Sequence, residues 1–377
     1  MNTPKIRFKE FEGEWKKSTI GDVAPLQRGF DLPTHSIVQG SVPVVYSNGI
    51  LRFHNESRCI APAIVTGRSG TIGKFTFIES GGYWPHNTSL WVTSFYKNIP
   101  RFVYYMFQNV GFEKYATGSG VPTLNRNDVH KHVISIPLDA NEQQQIASYF
   151  THLDSLISAS TSRLASLKQV KEASLQAMFP QEGETVPKIR FKGFEGKWKK
   201  VKLGDLFSER TENDINGEML SVTMHDGIIK ASENGRFDNS NSDKSNYKLV
   251  LENDIAYNSM RMWQGASGCS PYRGIVSPAY TVITPYEDVN SSFFACFFKT
   301  SQMIEKFRLH SQGLTKDTWN LKFPAFSKIT VTYPQSVAEQ RAIASYFTSL
   351  DRRITLETQR LEKLKQIKAA CLDKMFV

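Results

Sequence analysis

Cysteine is scarce in this chain of 377 residues, and the four present, Cys59, Cys269, Cys296 and Cys371, lie scattered. No two form a C-x-x-C pair, so their spacing supports neither a disulfide framework nor a zinc site. A reducing, cytoplasmic setting is expected. Long apolar runs are missing as well. No window approaches the ~18 apolar residues of a membrane span, and the longest aromatic run, Phe293 to Phe298, is broken by Lys299. No membrane partner is therefore expected. Met1 to Lys17 is polar and charged, without the apolar stretch of a signal peptide.

Complete catalytic sets are lacking too. Gly67 to Lys74 reads GRSGTIGK. A phosphate loop needs four residues between its glycines and Ser or Thr after the Lys. Here five residues separate Gly67 from Gly73, and Phe75 follows Lys74. Ser277-Pro278-Ala279-Tyr280 lacks the second proline of the S/N/D-P-P-Y motif of amino-methyltransferases, and no Gly-rich cofactor loop lies upstream at the right distance. His130-x-His132 has no further ligand at metal spacing beside it, and no metal is expected. Nuclease sites need clustered carboxylates. Asp238 and Asp243 stand instead in a Ser/Asn tract, DNSNSDKSN, which reads as a loop.

Positive charge is in excess. Lys and Arg number 46 against 36 Asp and Glu, a net +10, with a pI near 9.3. That balance favours a polyanionic partner. At 40% hydrophobic and 22% charged residues the composition is globular, and the length suffices for two domains.

The chain also repeats itself. Residues 4–17 read PKIRFKEFEGEWKK and residues 187–200 read PKIRFKGFEGKWKK, an offset of 187 − 4 = 183. Only Glu10/Gly193 and Glu14/Lys197 differ, and Ile20-Gly21-Asp22 matches Leu203-Gly204-Asp205 at the same offset. EQQQIASYFTHLDSLI begins at Glu142 and EQRAIASYFTSLDRRI at Glu339, an offset of 339 − 142 = 197. The match continues more weakly from Leu164 and Leu361. The material between hardly matches and is 197 − 183 = 14 residues longer in the second half. A duplicated frame thus carries two divergent inserts.

The matched tails read as helices. Ile146, Phe150, Leu153 and Ile157 follow a 4-3-4 spacing that Leu164 and Leu167 resume. Ile343, Phe347, Leu350 and Ile354 repeat it, with Leu361 and Leu364. About 38 residues without Gly or Pro span roughly 57 Å as a helix. So narrow a seam on so long a helix predicts a coiled coil, the alternative being a helix packed on its own domain. Within the inserts, Val42 to Tyr46, Ala63 to Thr66, Leu90 to Thr93 and Val133 to Pro137 read as strands. Arg101 to Asn109 and Ser292 to Phe307 read as helices. The expected fold is mixed α/β (α+β). Two globular domains, 1–141 and 187–338, are separated by two long antiparallel helices, 142–179 and 339–377, with a linker at 180–186 and a pseudo-twofold internal repeat. Phe8, Phe11 and Trp15, with Phe191, Phe194 and Trp198, are expected to pack each chain entry against the helices.

This layout resembles the specificity subunits of type I restriction-modification systems. Ile136-Pro137, Glu142 to Ala147 and Asp154 look like that family's strand-to-helix junction, which Tyr333-Pro334, Glu339 to Ala344 and Asp351 repeat. Gly67 to Gly73, Trp84 to Thr88 and Gly118 to Leu124 resemble one type of target-recognition domain. Ala256 to Arg261 and Gly274 to Tyr280 resemble another. The resemblance covers essentially the whole chain. It implies a non-catalytic subunit that binds double-stranded DNA at a bipartite, asymmetric site, each domain reading one half. The helices would act as a ruler and as the dock for two methyltransferase subunits, through Ile146, Phe150, Leu153, Ile157, Leu164, Ile343, Phe347, Leu350, Ile354 and Leu361. Translocase-nuclease subunits would join for cleavage. No cofactor is expected in this chain; S-adenosylmethionine, ATP and Mg²⁺ belong to the partners.

The residues expected at DNA are Arg68, Ser69, Thr71, Lys74, His86, Asn87 and Arg126 in the first domain. Arg261, Trp263, Gln264, Lys316 and Thr318 are expected in the second. A glycine-bounded loop can aim a guanidinium into the major groove, where Arg reads guanine bidentately; the alternative is a plain surface turn. Arg261 to Gln264 interleaves a cation, an aromatic and an amide, all groups that read or stack on bases; the alternative places Trp263 in the core. Lys316 to Asn320 is expected to correspond to Val121 to Asn125.

Overall fold

In a computed structural model, residues 2–118, 120–224, 227–233 and 243–377 are described. Ser119, Asp238 and most of the DNSNSDKSN tract lie outside them. The chain forms two compact units, Met1–Ser162 with Thr358–Val377, and Arg163–Glu357. The division passes through both long helices, which run Ala140–Ala177 and Val337–Met375. Among the described residues no helix is long and apolar enough to cross a membrane.

The first unit centres on a four-stranded antiparallel sheet, in the order Leu26–Arg28, Ser89–Val92, Ala63–Gly67, Phe75–Ile78. Ala63–Gly67 is buried along its whole length. The β-branched residues Ile64, Val65 and Thr66 suit that place. The helix Pro100–Val110 turns Phe102, Val103, Met106 and Phe107 inward, and Pro100 fits its first turn because the missing N–H would have no helical partner there. A second sheet is ordered Gly49–His54, Val42–Tyr46, Gly82–Pro85, Cys59–Ile60.

The second unit repeats the central sheet with unlike residues, in the order Phe207–Glu209, Tyr280–Pro285, Ile255–Asn258, Ser267–Cys269. One expectation needs correction. Ser292 to Phe307 is not one helix but two, Ser291–Phe297 and Ser301–His310. On a single helix, Phe293, Phe294, Phe297, Phe298 and Phe307 would spread over about half the circumference at 3.6 residues per turn. The break at Phe298 to Thr300 lets all five enter one core, with the rings of Phe298 and Phe307 5.3 Å apart.

The repeated segments build the same joint in each unit. Lys16–Thr19 pairs with Val133–Ile136, and Lys199–Lys202 with Thr330–Tyr333, both antiparallel. Arg7 Nε and Nη2 donate to the two carboxylate oxygens of Glu142 at 2.7 and 2.8 Å, and Trp15 Nε1 donates to the same group at 3.1 Å. Arg190 and Trp198 do the same to Glu339, at 2.7, 2.7 and 3.2 Å. The next residue ties the joint to the insert. Gln143 donates to Pro137 O at 2.9 Å and accepts from Ile99 N at 2.8 Å; Gln340 does so with Pro334 O and Asn290 N at the same distances. The Glu-Gln pair that opens each helix is therefore a structural clamp. Trp15 and Trp198 are buried as expected, and Phe8 and Phe191 pack against Tyr149 and Tyr346.

The long helices run antiparallel in each unit. In the first, Lys368 pairs with Asp154 at 2.6 Å and Cys371 touches Tyr149. In the second, Lys171 pairs with Asp351 and Arg163 with Glu357, and Ser174 bonds Tyr346. The Asp–Lys pairs are the same two positions of the repeat, exchanged.

Candidate nucleic-acid interface

In the first unit the candidate loop follows the strand Ala63–Gly67. A Cβ on Gly67 would lie 1.6 Å from Thr71 O, so the chain can close there only around glycine. The backbone beyond is pinned from two sides. Arg68 N and Ser69 N donate to Thr88 O at 2.8 and 3.2 Å, Gly70 N donates to Pro122 O at 2.9 Å, and Leu124 N donates to Arg68 O at 2.7 Å. Arg68 thus sits on fixed backbone, and its guanidinium has no hydrogen bond among the described residues. Thr71 is exposed on the same loop. His86 Nδ1 meets Thr88 Oγ1 at 3.0 Å, and its ring lies 4.2 Å from that of Tyr46. Asn87 donates to Asp31. Arg126 is exposed at the start of Arg126–His130, a short helix capped by Asn125.

Lys74 is engaged rather than free. Its Nζ donates to Asn48 O at 2.5 Å and so holds the turn Tyr46 to Gly49 beside the loop. That turn, with Ser47 and Asn48, was missed in the sequence, although Asn-Gly between two strands is a hairpin signal.

The second unit builds its loop in the same place. Leu321 N donates to Ser259 O at 2.8 Å, as Leu124 N does to Arg68 O. Leu124 and Leu321 are 321 − 124 = 197 apart, the offset of the helices. Val121 to Asn125 therefore correspond to Thr318 to Lys322, not to Lys316 to Asn320. The strand pairing at Val133–Ile136 and Thr330–Tyr333 holds this register. Arg261 is exposed and its Nη1 donates to Gln264 Oε1 at 3.2 Å. Trp263 is half-buried, 5.4 Å from Trp319 and edge-on to it, rather than in the main core. Trp319 belongs to a hairpin closed by mutual Gln312–Asn320 backbone bonds of 2.9 and 2.8 Å. Lys316 is exposed at its tip, and Thr318 Oγ1 bonds Thr315 O at 3.0 Å.

The two histidines of His130-x-His132 have structural partners. His130 Nε2 accepts from Leu26 N at 2.8 Å, and His132 Nδ1 meets Tyr115 OH at 2.6 Å. Burial pushes both, and His86, below the ordinary histidine range. Among the described residues no three metal-binding side chains cluster.

The helix seam lies inside the units. Ile146, Phe150, Leu153, Ile343, Phe347, Leu350 and Leu361 are buried, and Ile157, Leu164 and Ile354 half-buried. The exposed face of these helices is the opposite one, mainly polar, with Val170 and Leu356 among its apolar residues.

Among curated proteins none matches the chain. Among solved structures, an S subunit of a type I restriction-modification system from M. genitalium superposes with a TM-score of 0.69 at 15% identity, over 100% of this chain and 99% of that one. An HsdS subunit from Thermoanaerobacter tengcongensis reaches 0.45 at 12% identity, covering 96% of each chain. The profile of the type I restriction modification DNA specificity domain matches twice, at residues 12–169 and 195–366. Two matches spanning both halves of the repeat show that this chain belongs to the family of type I restriction-modification specificity subunits.

Proposed function

We propose that the chain reads a bipartite, asymmetric DNA sequence and directs methylation and cleavage by partner subunits, itself catalysing neither. The observation that carries this is one sheet order and one loop position, repeated in two units with unlike side chains. Arg68, Ser69, Thr71, His86, Asn87 and Arg126 would serve one half-site. Arg261, Trp263, Gln264, Lys316 and Thr318 would serve the other. The unpartnered Arg68 guanidinium on pinned backbone suits base-edge readout, and the net charge of +10 suits the phosphates. Two methyltransferase subunits, supplying S-adenosylmethionine chemistry, and translocase-nuclease subunits, using ATP and Mg²⁺, would complete the assembly in the cytoplasm. Sequencing methylated bases in a host with and without this chain tests the reading. An interrupted, asymmetric motif that appears only with the chain is expected; a continuous or palindromic motif would overturn it.

A further inference from the structure

The break between the helices Ser291–Phe297 and Ser301–His310 serves a second purpose. Lys299 stands in it, half-buried, and its Nζ donates to Gly265 O and to Met224 O, the latter at 3.0 Å. The two carbonyls belong to different loops. Met224 follows the strand Leu220–Val222, which pairs with Ile228–Lys230. Gly265 ends the turn Met262–Gln264, and its carbonyl also accepts from Ser267 N at 2.9 Å. One ammonium therefore fastens to a single point a hairpin and the turn that carries Arg261, Trp263 and Gln264.

The turn is held from within as well. Met262 is fully buried, and Gly265 adopts a φ of 82°, where a Cβ would lie 3.3 Å from Ile304 Cδ1. Gln264 N and Gly265 N close the turn on Arg261 O and Met262 O, both at 2.9 Å. Those neutral bonds shape the turn but do not place it against the neighbouring hairpin. A charged group with several donors is suited to that task. The first unit uses the same means with other residues. Lys74 ties the turn Tyr46 to Gly49 to its own loop. Glu113, just past the helix Pro100–Val110, lies against that loop too, since a Cβ on Gly73 would fall 1.7 Å from Glu113 Oε1. In both units the chain leaving the helix that follows the central sheet props the candidate loop.

We infer that Lys299 is a positioning residue for the second half-site: it touches no base, and it sets the turn from which Arg261 and Gln264 read one. This rests on the function proposed above. Its loss should blur base choice in that half-site while phosphate contacts stay in place, which separates it from a lysine that binds DNA directly.

The test uses the full chain, free and assembled with its methyltransferase subunits, as Lys299→Met and Lys299→Arg. Hydrogen exchange of the free chain reads the clip. In K299M the amides of Gln264, Gly265 and Ala266 should exchange about tenfold faster, as expected for the loss of a charged hydrogen bond, with K299R close to the parent. Binding of the assembly to duplexes altered one base pair at a time reads specificity. Discrimination at the positions that Arg261→Ala relaxes should fall about tenfold in K299M. The other half-site and the salt dependence of affinity should stay as they were, and K299R should restore most of the loss. Unchanged exchange overturns the clip, and faster exchange with unchanged discrimination overturns its role in reading. A salt slope flattened by about one unit, with all sequences weakened alike, would make Lys299 a phosphate contact and overturn the inference. So would equal loss at both half-sites with a lower Tm, the mark of general unfolding. An unaltered assembly that prefers no sequence would defeat the proposed function itself, and this inference with it.

Discussion

Phe376 stacks on Phe150 in the first unit, ring centroids 5.9 Å apart, and Phe179 stacks on Phe347 in the second at the same distance. The two contacts are one contact of the repeat, made twice with the partners exchanged. Each ring is buried, and Phe376 also meets Trp15 while Phe179 meets Trp198. Phe376→Ala should therefore loosen the first unit and Phe179→Ala the second, each by about 3–5 kcal/mol, the usual cost of emptying an aromatic core site. Urea unfolding followed by tryptophan fluorescence measures this. A loss below about 1 kcal/mol in both would show that the helix ends are not part of the cores.

The Arg7–Glu142 clamp leads to a second expectation. Glu142 is 1% exposed and holds both the guanidinium and the Trp15 indole. Arg7→Met alone should cost about 3–5 kcal/mol, because it strands a buried carboxylate. Replacing both, with Arg7→Met and Glu142→Leu, should cost less than Arg7→Met alone. A double-mutant cycle on thermal unfolding decides, and a double variant no better than the single would refute the clamp as an electrostatic unit.

Acid should weaken the first unit. Burial lowers the pKa of His86, His130 and His132 from 6.5, so the folded state favours their neutral forms. The unfolded chain then binds more protons, and stability rises with pH in this range. The contribution is full above about 6.5 and is lost as the pH falls through the lowered folded values. Protonating His130 Nε2 also removes the acceptor of Leu26 N. Thermal melts of the full chain between pH 8 and pH 5 should show a falling Tm, and the fall should shrink in His130→Gln. An equal fall in that variant would place the proton uptake elsewhere.

Contacts with DNA should separate by kind. Arg68→Ala and Arg261→Ala are expected to relax one position of a half-site each, at about 1–3 kcal/mol, if they read bases. Lys74 holds Asn48 O, so Lys74→Ala should weaken the first half-site through the turn it positions. It should leave the salt slope of binding nearly unchanged, whereas a lost phosphate contact flattens it by about one unit. Affinities at several salt concentrations read both. A flattened slope in Lys74→Ala would make it a phosphate contact after all.

The repeat was legible in the sequence because its two copies keep the residues that make the clamp and the seam. The strands at Val42 to Tyr46 and Ala63 to Gly67 were legible through β-branched runs between turn residues. The equivalence of the two central sheets was not, since the same order is built from unlike residues. What fixes that equivalence is a backbone bond, Leu124 N to Arg68 O and Leu321 N to Ser259 O, which any side chain could make. The broken helix at Phe298 was hidden for the opposite reason: its pattern is as apolar as a helix, and only the need to bury five rings on one side divides it.

The exchange of helix ends also orders events during synthesis. The second unit, Arg163–Glu357, is drawn from one unbroken stretch of chain. The first waits for Thr358–Val377, whose Met375 and Phe376 lie in its core. A growing chain therefore carries an unfinished N-terminal core past the ribosome exit while everything behind it is made. The part translated first therefore cannot close its core until the last helix has been made, and a released chain truncated before Met375 would keep an open aromatic socket in that unit.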